Sequence, residues 1–182
     1  MKQVIRRGLK EIIVDEVPDP AAPPHHVLIR PVCSLISSGT ETASIHQEGL
    51  LKEVAGNPSH LRKIWDVMKN AGPLRTLAEV RAKFSEYAVL GYSGAGVVAS
   101  VHPTVKDLEP GDRVSYGGEG TGHGETIVTG RQLVARLPDG VAFEQACFAT
   151  LGSIAMNAVR IANLSLGDVV AVIGQGLVGQ LI

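Results

Sequence analysis

The sequence predicts a mainly β, barrel-like domain with a helical insertion, followed by the first strand and turn of an α/β fold. Three observations lead to this prediction. Short β-like runs alternate with many of the 21 glycines and 10 prolines, which is typical of strands joined by tight turns. One internal stretch instead repeats its apolar residues at helical spacing. Towards the end of the chain, an unbroken apolar run leads directly into a glycine-rich turn.

The β-rich part begins with a predicted hairpin and a long strand. Residues 4–5 and 12–14 are β-like runs on either side of Gly8, and we expect them to pair. Residues 17–24 form a loop, because their prolines cannot donate ladder hydrogen bonds. A strand is then predicted over residues 27–36.

A helical insertion is predicted over about residues 42–87. Leu61, Ile64, Trp65 and Met68 recur at helical spacing within it. We expect this apolar face to pack on the barrel, and not to bind a cofactor.

The β pattern returns after the insertion and then gives way to helices. Further strands are predicted over 94–101, after the turn at 110–114, and over 126–128 and 133–135. Helical segments are predicted over 143–148 and 154–161.

The run over residues 169–173 has the composition of a buried central strand in a parallel sheet. It leads into a G-x-G-x-x-G motif, in which the first glycine permits a tight turn and the second lets a pyrophosphate approach the backbone. The third glycine allows the following helix to pack closely, and the helix end favours a phosphate. The alternative is a glycine-rich turn without a ligand. The motif predicts that NAD or NADP binds through Gly174, Gln175, Gly176, Leu177, Val178 and Gly179.

The sequence stops three residues after the motif. The second strand of a nucleotide-binding unit, with the acidic residue that contacts the ribose, does not follow. We therefore expect the chain to be part of a longer enzyme and to be inactive alone. We also expect an apolar edge at residues 169–173 to promote self-association.

Composition excludes several classes of partner. The net charge of −1 provides no basic field for nucleic acid or an anionic membrane, and no apolar run has the length of a membrane span. The first residues lack the apolar core of a signal peptide. Cys33 and Cys147 are too few for a disulfide framework, and we expect buried, reduced thiols. We therefore expect a cytoplasmic protein with a small-molecule substrate.

The order of these pieces resembles the medium-chain dehydrogenase/reductase superfamily, which includes the zinc-type alcohol dehydrogenases. The Gly-Asp-Arg-Val turn at 111–114, the segment 133–138 and the helix before the nucleotide strand carry the resemblance. It implies a GroES-like catalytic domain over residues 1–150. Residues 151–182 would then be a linking helix and the start of a truncated Rossmann domain.

Three segments, 34–41, 90–97 and 148–155, are similar to the dehydrogenase half of bi-domain oxidoreductases. The Ser-Gly-Thr-Glu segment at 38–41 is also similar to that of bacteriochlorophyllide-type dehydrogenases. Relatives in the superfamily imply a homo-oligomeric parent protein.

The resemblance also implies which positions would hold zinc in such enzymes. Ser37 and Tyr92 stand where zinc enzymes have a cysteine and a histidine. A third cysteine would fall at about Ala149 or Thr150, and neither residue is a cysteine. Ser93 replaces the glutamate that supports the zinc site. A serine hydroxyl and a phenol are poor zinc ligands at neutral pH because neither ionises readily. We therefore expect no zinc and no other metal.

Without zinc, a hydrogen-bond donor must polarise the substrate oxygen. Tyr92 is the preferred candidate, because a phenol can both donate and release a proton. The alternative is that Tyr92 only fills the vacated zinc site. The relay serine of the zinc enzymes would fall at Gly39, so that proton path does not carry over. The remaining candidates for the catalytic cleft are Ser37, Ser38, Thr40 and Glu41.

Two further residues receive predicted roles. Ser153 corresponds to a hydroxyl residue that touches the nicotinamide ring in relatives. His123, one of six scattered histidines, lies in a Gly-His-Gly-Glu segment, and we expect it to make a structural hydrogen bond.

The sequence thus predicts part of a zinc-independent NAD(P)-dependent oxidoreductase that transfers a hydride to or from an alcohol or carbonyl substrate. Two alternatives stay open. One is an NADPH-dependent quinone or enone reductase, and the other is a non-catalytic GroES-like binding module or an inactive fragment.

Overall fold

A computed structural model describes residues 1–7, 11–45, 87–118 and 120–182, of which 42–45 are described by their backbone only. These residues form two antiparallel sheets. The strands are β1 (Lys2–Arg7), β2 (Glu11–Glu16), β3 (His26–Ser34), β4 (Tyr87–Val89), β5 (Ser93–Val101), β6 (Arg113–Gly117), β7 (Ile127–Gly130) and β8 (Val134–Arg136). The helices are α1 (Ser38–Ile45), α2 (Phe143–Ala146), α3 (Ala149–Ala162) and α4 (Leu177–Leu181).

The smaller sheet has the strand order β2-β1-β4, with β1 antiparallel to both neighbours. The predicted hairpin is therefore confirmed, with Val4 opposite Val14. Strand β4 was not predicted, because Tyr87 fell at the end of the predicted insertion. A bridge between Gln3 and Gly124 connects this sheet to the segment before β7.

The larger sheet has the order β7-β3-β5-β6-β8, and every pair is antiparallel. The strands predicted from 94, after 110–114, and near 126 and 133 are confirmed within a few residues. Alternate residues of β3, Val27 and Ile29, are fully buried and meet Val98 and Val114 in the main core. Pro31 lies at a register shift between β3 and β5, where a missing N–H is tolerated.

Helices α2 and α3 pack against the larger sheet. Ala146, Leu151 and Ala155 are buried, and Ala146 joins Ala95 and Cys147 in a second core cluster. The two predicted helical segments are confirmed, although α3 begins at Ala149, ahead of residue 154. An αL residue, Asn163, ends α3, as is common at helix C-termini.

Three predicted boundaries need correction or fall outside the description. Strand β3 ends at Ser34 instead of residue 36, and α1 begins at Ser38, ahead of the predicted start of the insertion at 42. The remainder of that insertion, from 46 to 86, lies outside the described residues. The mainly β architecture is confirmed, whereas the GroES-like barrel and the division at residue 150 stay predictions.

Residues 169–173 were predicted to form a strand, and the structure assigns no strand to them. Val169 and Ile173 are 99% and 98% exposed, which agrees with the exposed apolar edge expected for this segment. A strand is held by ladder hydrogen bonds to a neighbour, and no described strand pairs with this run.

Among the described residues, no helix has the length and apolarity needed to cross a membrane.

Candidate functional site

The segment from Ser37 to Glu41 forms a hydrogen-bonded turn at the start of α1. The Ser37 amide donates to Glu41 Oε1 at 2.9 Å, and the Glu41 amide donates to the Ser37 carbonyl at 2.9 Å. The Ser37 hydroxyl donates to Thr40 Oγ1 at 3.3 Å. Small hydroxyl residues and a carboxylate are favoured here, because side chains must satisfy the free backbone groups at a helix start. The predicted catalytic segment is thus a hydrogen-bonded helix cap.

A cleft of about 420 Å³ separates this cap from the glycine turn. One wall is Ser37, Ser38, Gly39 and Thr40, and the other is Gly174, Gly176, Leu177, Val178 and Gly179. The fold therefore brings together two segments that the sequence assigned independently to chemistry and to cofactor binding. We call this space the cap–turn cleft.

The geometry of the glycine turn explains its three glycines. Gly174 has a φ of +94°, a conformation that residues with a side chain rarely adopt. A Cβ at Gly179 would collide with the Gly174 carbonyl oxygen. A Cβ at Gly176 would meet nothing within 4 Å, so the space beside this residue is open. Two glycines are needed to form the turn, and the third leaves room for an incoming group.

Tyr92 and Ser93 lie where β5 begins. Tyr92 is half-buried, its carbonyl accepts from the Gly118 amide at 3.0 Å, and it is not among the residues that line the cap–turn cleft. The Ser93 side chain is buried and donates to the Cys147 carbonyl at 2.6 Å. Ser93 therefore joins β5 to the α2–α3 connection.

His123 connects the cap to the start of the β5 region. Its Nδ1 lies 2.7 Å from the Ser34 hydroxyl, and its Nε2 lies 3.4 Å from Glu41 Oε2. The imidazole also lies against Gly91, where an added Cβ would be 2.7 Å from the ring Cε1. The predicted structural hydrogen bond of His123 is confirmed. Its partners were not predicted, because Ser34 and Glu41 are distant in sequence and only the folded sheets bring them to this ring.

A second cleft, of about 380 Å³, is bordered by His123. Ser34 and His123 form its polar part, and Val4, Val14, Pro31, Val32 and Cys33 line it together with Lys2, Gln3, Gly124 and Glu125. The same histidine therefore borders a second cleft while its Nε2 faces the carboxylate of the helix cap.

The structure does not place Ser153 in the cap–turn cleft. Ser153 lies in a third cleft with Gly117, Gly118 and Thr150. Its hydroxyl donates to the Thr150 carbonyl at 2.7 Å, one turn earlier in α3. The predicted contact of Ser153 with a nicotinamide stays a prediction.

Comparison with known proteins identifies the fold. No known family profile matches the sequence. Among curated proteins, (R,R)-butanediol dehydrogenase of Bacillus subtilis is 27% identical over 117 residues, which is 51% of this chain and 34% of that protein.

Solved structures match most or all of the described fold. The 2R,3R-butanediol dehydrogenase of Bacillus subtilis matches with a TM-score of 0.67 at 20% identity, covering 99% of this chain and 52% of the other. An Escherichia coli alcohol dehydrogenase in complex with NADH matches with a TM-score of 0.68 at 16% identity, covering 100% of this chain and 51% of the other. The quinone oxidoreductase of Coxiella burnetii matches with a TM-score of 0.60 at 20% identity, covering 92% of this chain and 47% of the other.

The chain shares its fold with these dehydrogenases and oxidoreductases, as the resemblance found in the sequence implied. The chain spans about one third of its curated relative and about half of these matched structures.

The two cysteines are poor candidates for metal binding or nucleophilic chemistry. Burial, and to a lesser extent the neighbouring Cys147, raises the pKa of Cys33 to about 11, and burial also raises the pKa of Cys147. Both are free thiols; Cys147 is buried as predicted, whereas Cys33 is only half-buried. Thiols with raised pKa values stay protonated at neutral pH, and the thiolate is the ligand and nucleophile. In the part of the chain that the structure describes, His, Cys, Asp and Glu side chains form no group of three that could hold a metal.

Proposed function

We propose that this chain is the N-terminal part of a zinc-independent NAD(P)-dependent oxidoreductase, which transfers a hydride between the cofactor and an alcohol or carbonyl substrate. The cap–turn cleft carries this proposal, because it sets the hydroxyls of the cap opposite the glycine turn. The superfamily fold supports the proposal, and so do the dehydrogenases with which the chain shares that fold.

The glycine turn fits a dinucleotide. Gly174 and Gly179 close the turn, and the open space beside Gly176 lets a pyrophosphate approach the backbone without meeting a side chain. The bound cofactor would supply or accept the hydride. The task of the protein is then to hold the substrate and to stabilise charge on its oxygen.

The cap offers a donor for that oxygen. Because the Ser37 hydroxyl donates to Thr40 Oγ1, the proton of the Thr40 hydroxyl is left for another acceptor. Thr40 is exposed on the wall of the cleft, where a carbonyl oxygen can accept from it. Glu41 holds the cap, while Tyr92 is a second candidate donor at the start of β5.

The residues at the expected zinc positions do not fit zinc. The Ser37 hydroxyl is engaged with Thr40, and a neutral hydroxyl is a weak zinc ligand. At the expected position of a third ligand, the Thr150 hydroxyl points to the Tyr116 carbonyl at 3.5 Å. We therefore assign the polarisation of the substrate to hydrogen-bond donors and not to a metal.

A quinone or enone reductase using NADPH is the second candidate. The Coxiella burnetii quinone oxidoreductase shares the fold at a TM-score of 0.60. Hydride addition to a conjugated carbonyl needs only a donor at the oxygen, and a neutral hydroxyl provides one.

Cofactor binding by the natural full-length protein tests the proposal. NADH and NADPH affinities are measured by fluorescence titration, and turnover is measured with 2,3-butanediol plus NAD(P)⁺ and with 1,4-naphthoquinone plus NAD(P)H. Gly176→Ala places a methyl group in the open space of the turn, and we expect affinity to fall at least about tenfold, which corresponds to about 1.4 kcal/mol. Gly152→Ala is the matched control in α3, where a Cβ also meets nothing within 4 Å, and its affinity should equal that of the wild type.

The outcomes separate the candidates. Turnover of the diol favours the alcohol dehydrogenase, and turnover of the quinone alone favours the reductase. If neither nucleotide binds to the full-length wild type, the protein is a non-catalytic module and the proposal is wrong. If both glycine variants bind as tightly as the wild type, the nucleotide site lies elsewhere.

A further inference from the structure

We propose that His123 is a positioning residue of the cap–turn cleft, and that it acts through Glu41. The inference rests on the proposed function, since it assigns His123 to the site where that reaction would occur. It goes beyond the structural hydrogen bond expected for this histidine, because it connects the ring to the hydroxyls that face the substrate.

A continuous chain of short contacts leads from His123 to the cleft. The ring Nε2 lies 3.4 Å from Glu41 Oε2, and the other carboxylate oxygen, Oε1, accepts from the Ser37 amide at 2.9 Å. The Ser37 hydroxyl in turn donates to Thr40 Oγ1 at 3.3 Å. Ser37 and Thr40 line the cleft, so a displaced carboxylate would move both hydroxyls.

The chemistry of Glu41 and Ser34 decides which ring nitrogen of His123 donates its proton. A carboxylate only accepts hydrogen bonds, so the proton between the ring and Glu41 must be on Nε2. A serine hydroxyl can donate or accept, so Ser34 satisfies Nδ1 in either ring state. The side chains of His123 and Glu41 are 13% and 12% exposed. Because water is largely kept from both groups, their contact restrains the carboxylate more than a surface contact would.

The backbone at Gly91 also restricts the position of the His123 ring. His123 lies against Gly91, the residue before Tyr92, and any side chain at position 91 would strike the ring. Gly91 also has a φ of +95°, which favours glycine. One imidazole therefore sets the spacing between the two segments predicted to be catalytic, the cap at Ser37–Glu41 and the start of β5 at Tyr92.

Amide exchange tests the chain of contacts without any need for a substrate. In His123→Phe, the ring stays against Gly91 but both hydrogen bonds are lost. We expect hydrogen exchange of the Ser37 amide, followed by NMR in the full chain, to accelerate at least about tenfold. His102→Phe is the matched control, because His102 bonds Thr104 in an exposed turn, and it should leave Ser37 unchanged. Ser34→Ala, which removes only the Nδ1 partner, is the milder variant if His123→Phe does not fold.

Kinetics of the natural full-length protein, with the diol and quinone probes named above, test the role in the reaction. We expect His123→Phe to lower kcat at least about tenfold while the NAD(P)H affinity stays within about twofold, because the glycine turn is untouched. His123→Gln keeps one amide donor towards Glu41 and should recover most of kcat. A variant that merely loosens the fold would weaken cofactor binding as well and would not be rescued by glutamine.

Each result decides the proposal. Unchanged Ser37 exchange in folded His123→Phe and Ser34→Ala would show that Glu41 is held without the histidine, which overturns the inference. Faster exchange with an unchanged kcat would overturn the role in the reaction. If the wild type neither binds nucleotide nor turns over a probe, the proposed function fails and the positioning role fails with it, while the exchange result still shows whether the chain of contacts exists.

Discussion

Replacing Tyr116 with phenylalanine is expected to stabilise the protein. Tyr116 is 2% exposed, and its hydroxyl has no hydrogen-bond partner among the groups that the structure describes. Burying a hydroxyl without a partner costs about 1–3 kcal/mol. Tyr116→Phe removes this cost but leaves a small gap beside Gly94, which lies against the phenol oxygen. We therefore expect a net gain of about 1 kcal/mol, which is a rise in Tm of about 2–4 °C for a chain of this size.

The pH dependence of this gain provides a second check. Burial raises the pKa of Tyr116 above its ordinary value. The unfolded chain therefore ionises at a lower pH than the folded protein, and the wild type loses stability as the pH rises above about 10. Phenylalanine cannot ionise, so the advantage of Tyr116→Phe should increase over that range.

Urea and thermal unfolding, followed by circular dichroism at pH 7 and at pH 10.5, measure both effects. Tyr87→Phe is the control, because Tyr87 is 60% exposed and its change should stay within about 0.5 kcal/mol. A Tyr116→Phe variant that is less stable than the wild type at pH 7 would refute the reasoning, since it would show that the hydroxyl makes a favourable bond.

Three other predictions concern the same core. Ser93→Ala leaves the buried Cys147 carbonyl without its donor and should lower the free energy of unfolding by about 1–3 kcal/mol, measured by urea titration. Gly94→Ala drives a methyl group into the Tyr116 hydroxyl and Cζ and to 2.9 Å from the Cys33 carbonyl, and we expect thermal unfolding to show a loss of about 1–3 kcal/mol. Because Cζ remains in phenylalanine, Tyr116→Phe should not fully relieve this loss. The Cys33 thiol, with a pKa of about 11, should react with iodoacetamide more slowly than free cysteine at pH 8, and its rate should rise steeply between pH 9 and 11. A rate at pH 8 equal to that of free cysteine would contradict the last prediction.

The sequence was most informative where local patterns are specific. Short β-like runs bounded by turn residues predicted the strands of the larger sheet, and the apolar segments after Pro138-Asp139-Gly140 predicted α2 and α3. The start of α1 was missed, since Ser-Ser-Gly-Thr-Glu has the composition of a turn as well as of a helix cap. The run over 169–173 has the apolar composition of a buried strand, but composition does not supply a neighbouring strand to pair with.

The candidate site was also predicted only where local sequence patterns or the family resemblance pointed to it. The glycine turn was found from its spacing, and the cap was found from the family resemblance, so the two walls of the cleft were both named in advance. Their meeting across one cleft depends on the tertiary fold, as does the placement of His123 between Ser34 and Glu41. Glycines on either side of His123 were the only local signal that this residue occupies a confined position.

The pairing of β3 with β5 has a consequence for where this protein tolerates changes in length. Ser34 is opposite Gly94, and the Leu35 amide donates to the Ser93 carbonyl at 2.9 Å, so the register of these two strands sets the position of the cap relative to Tyr92. A slip of one residue in the register of a strand turns its side chains to the opposite face of the sheet. A residue inserted within β3 or β5 would therefore displace the cap from Tyr92 and turn core side chains such as Ile29 towards solvent.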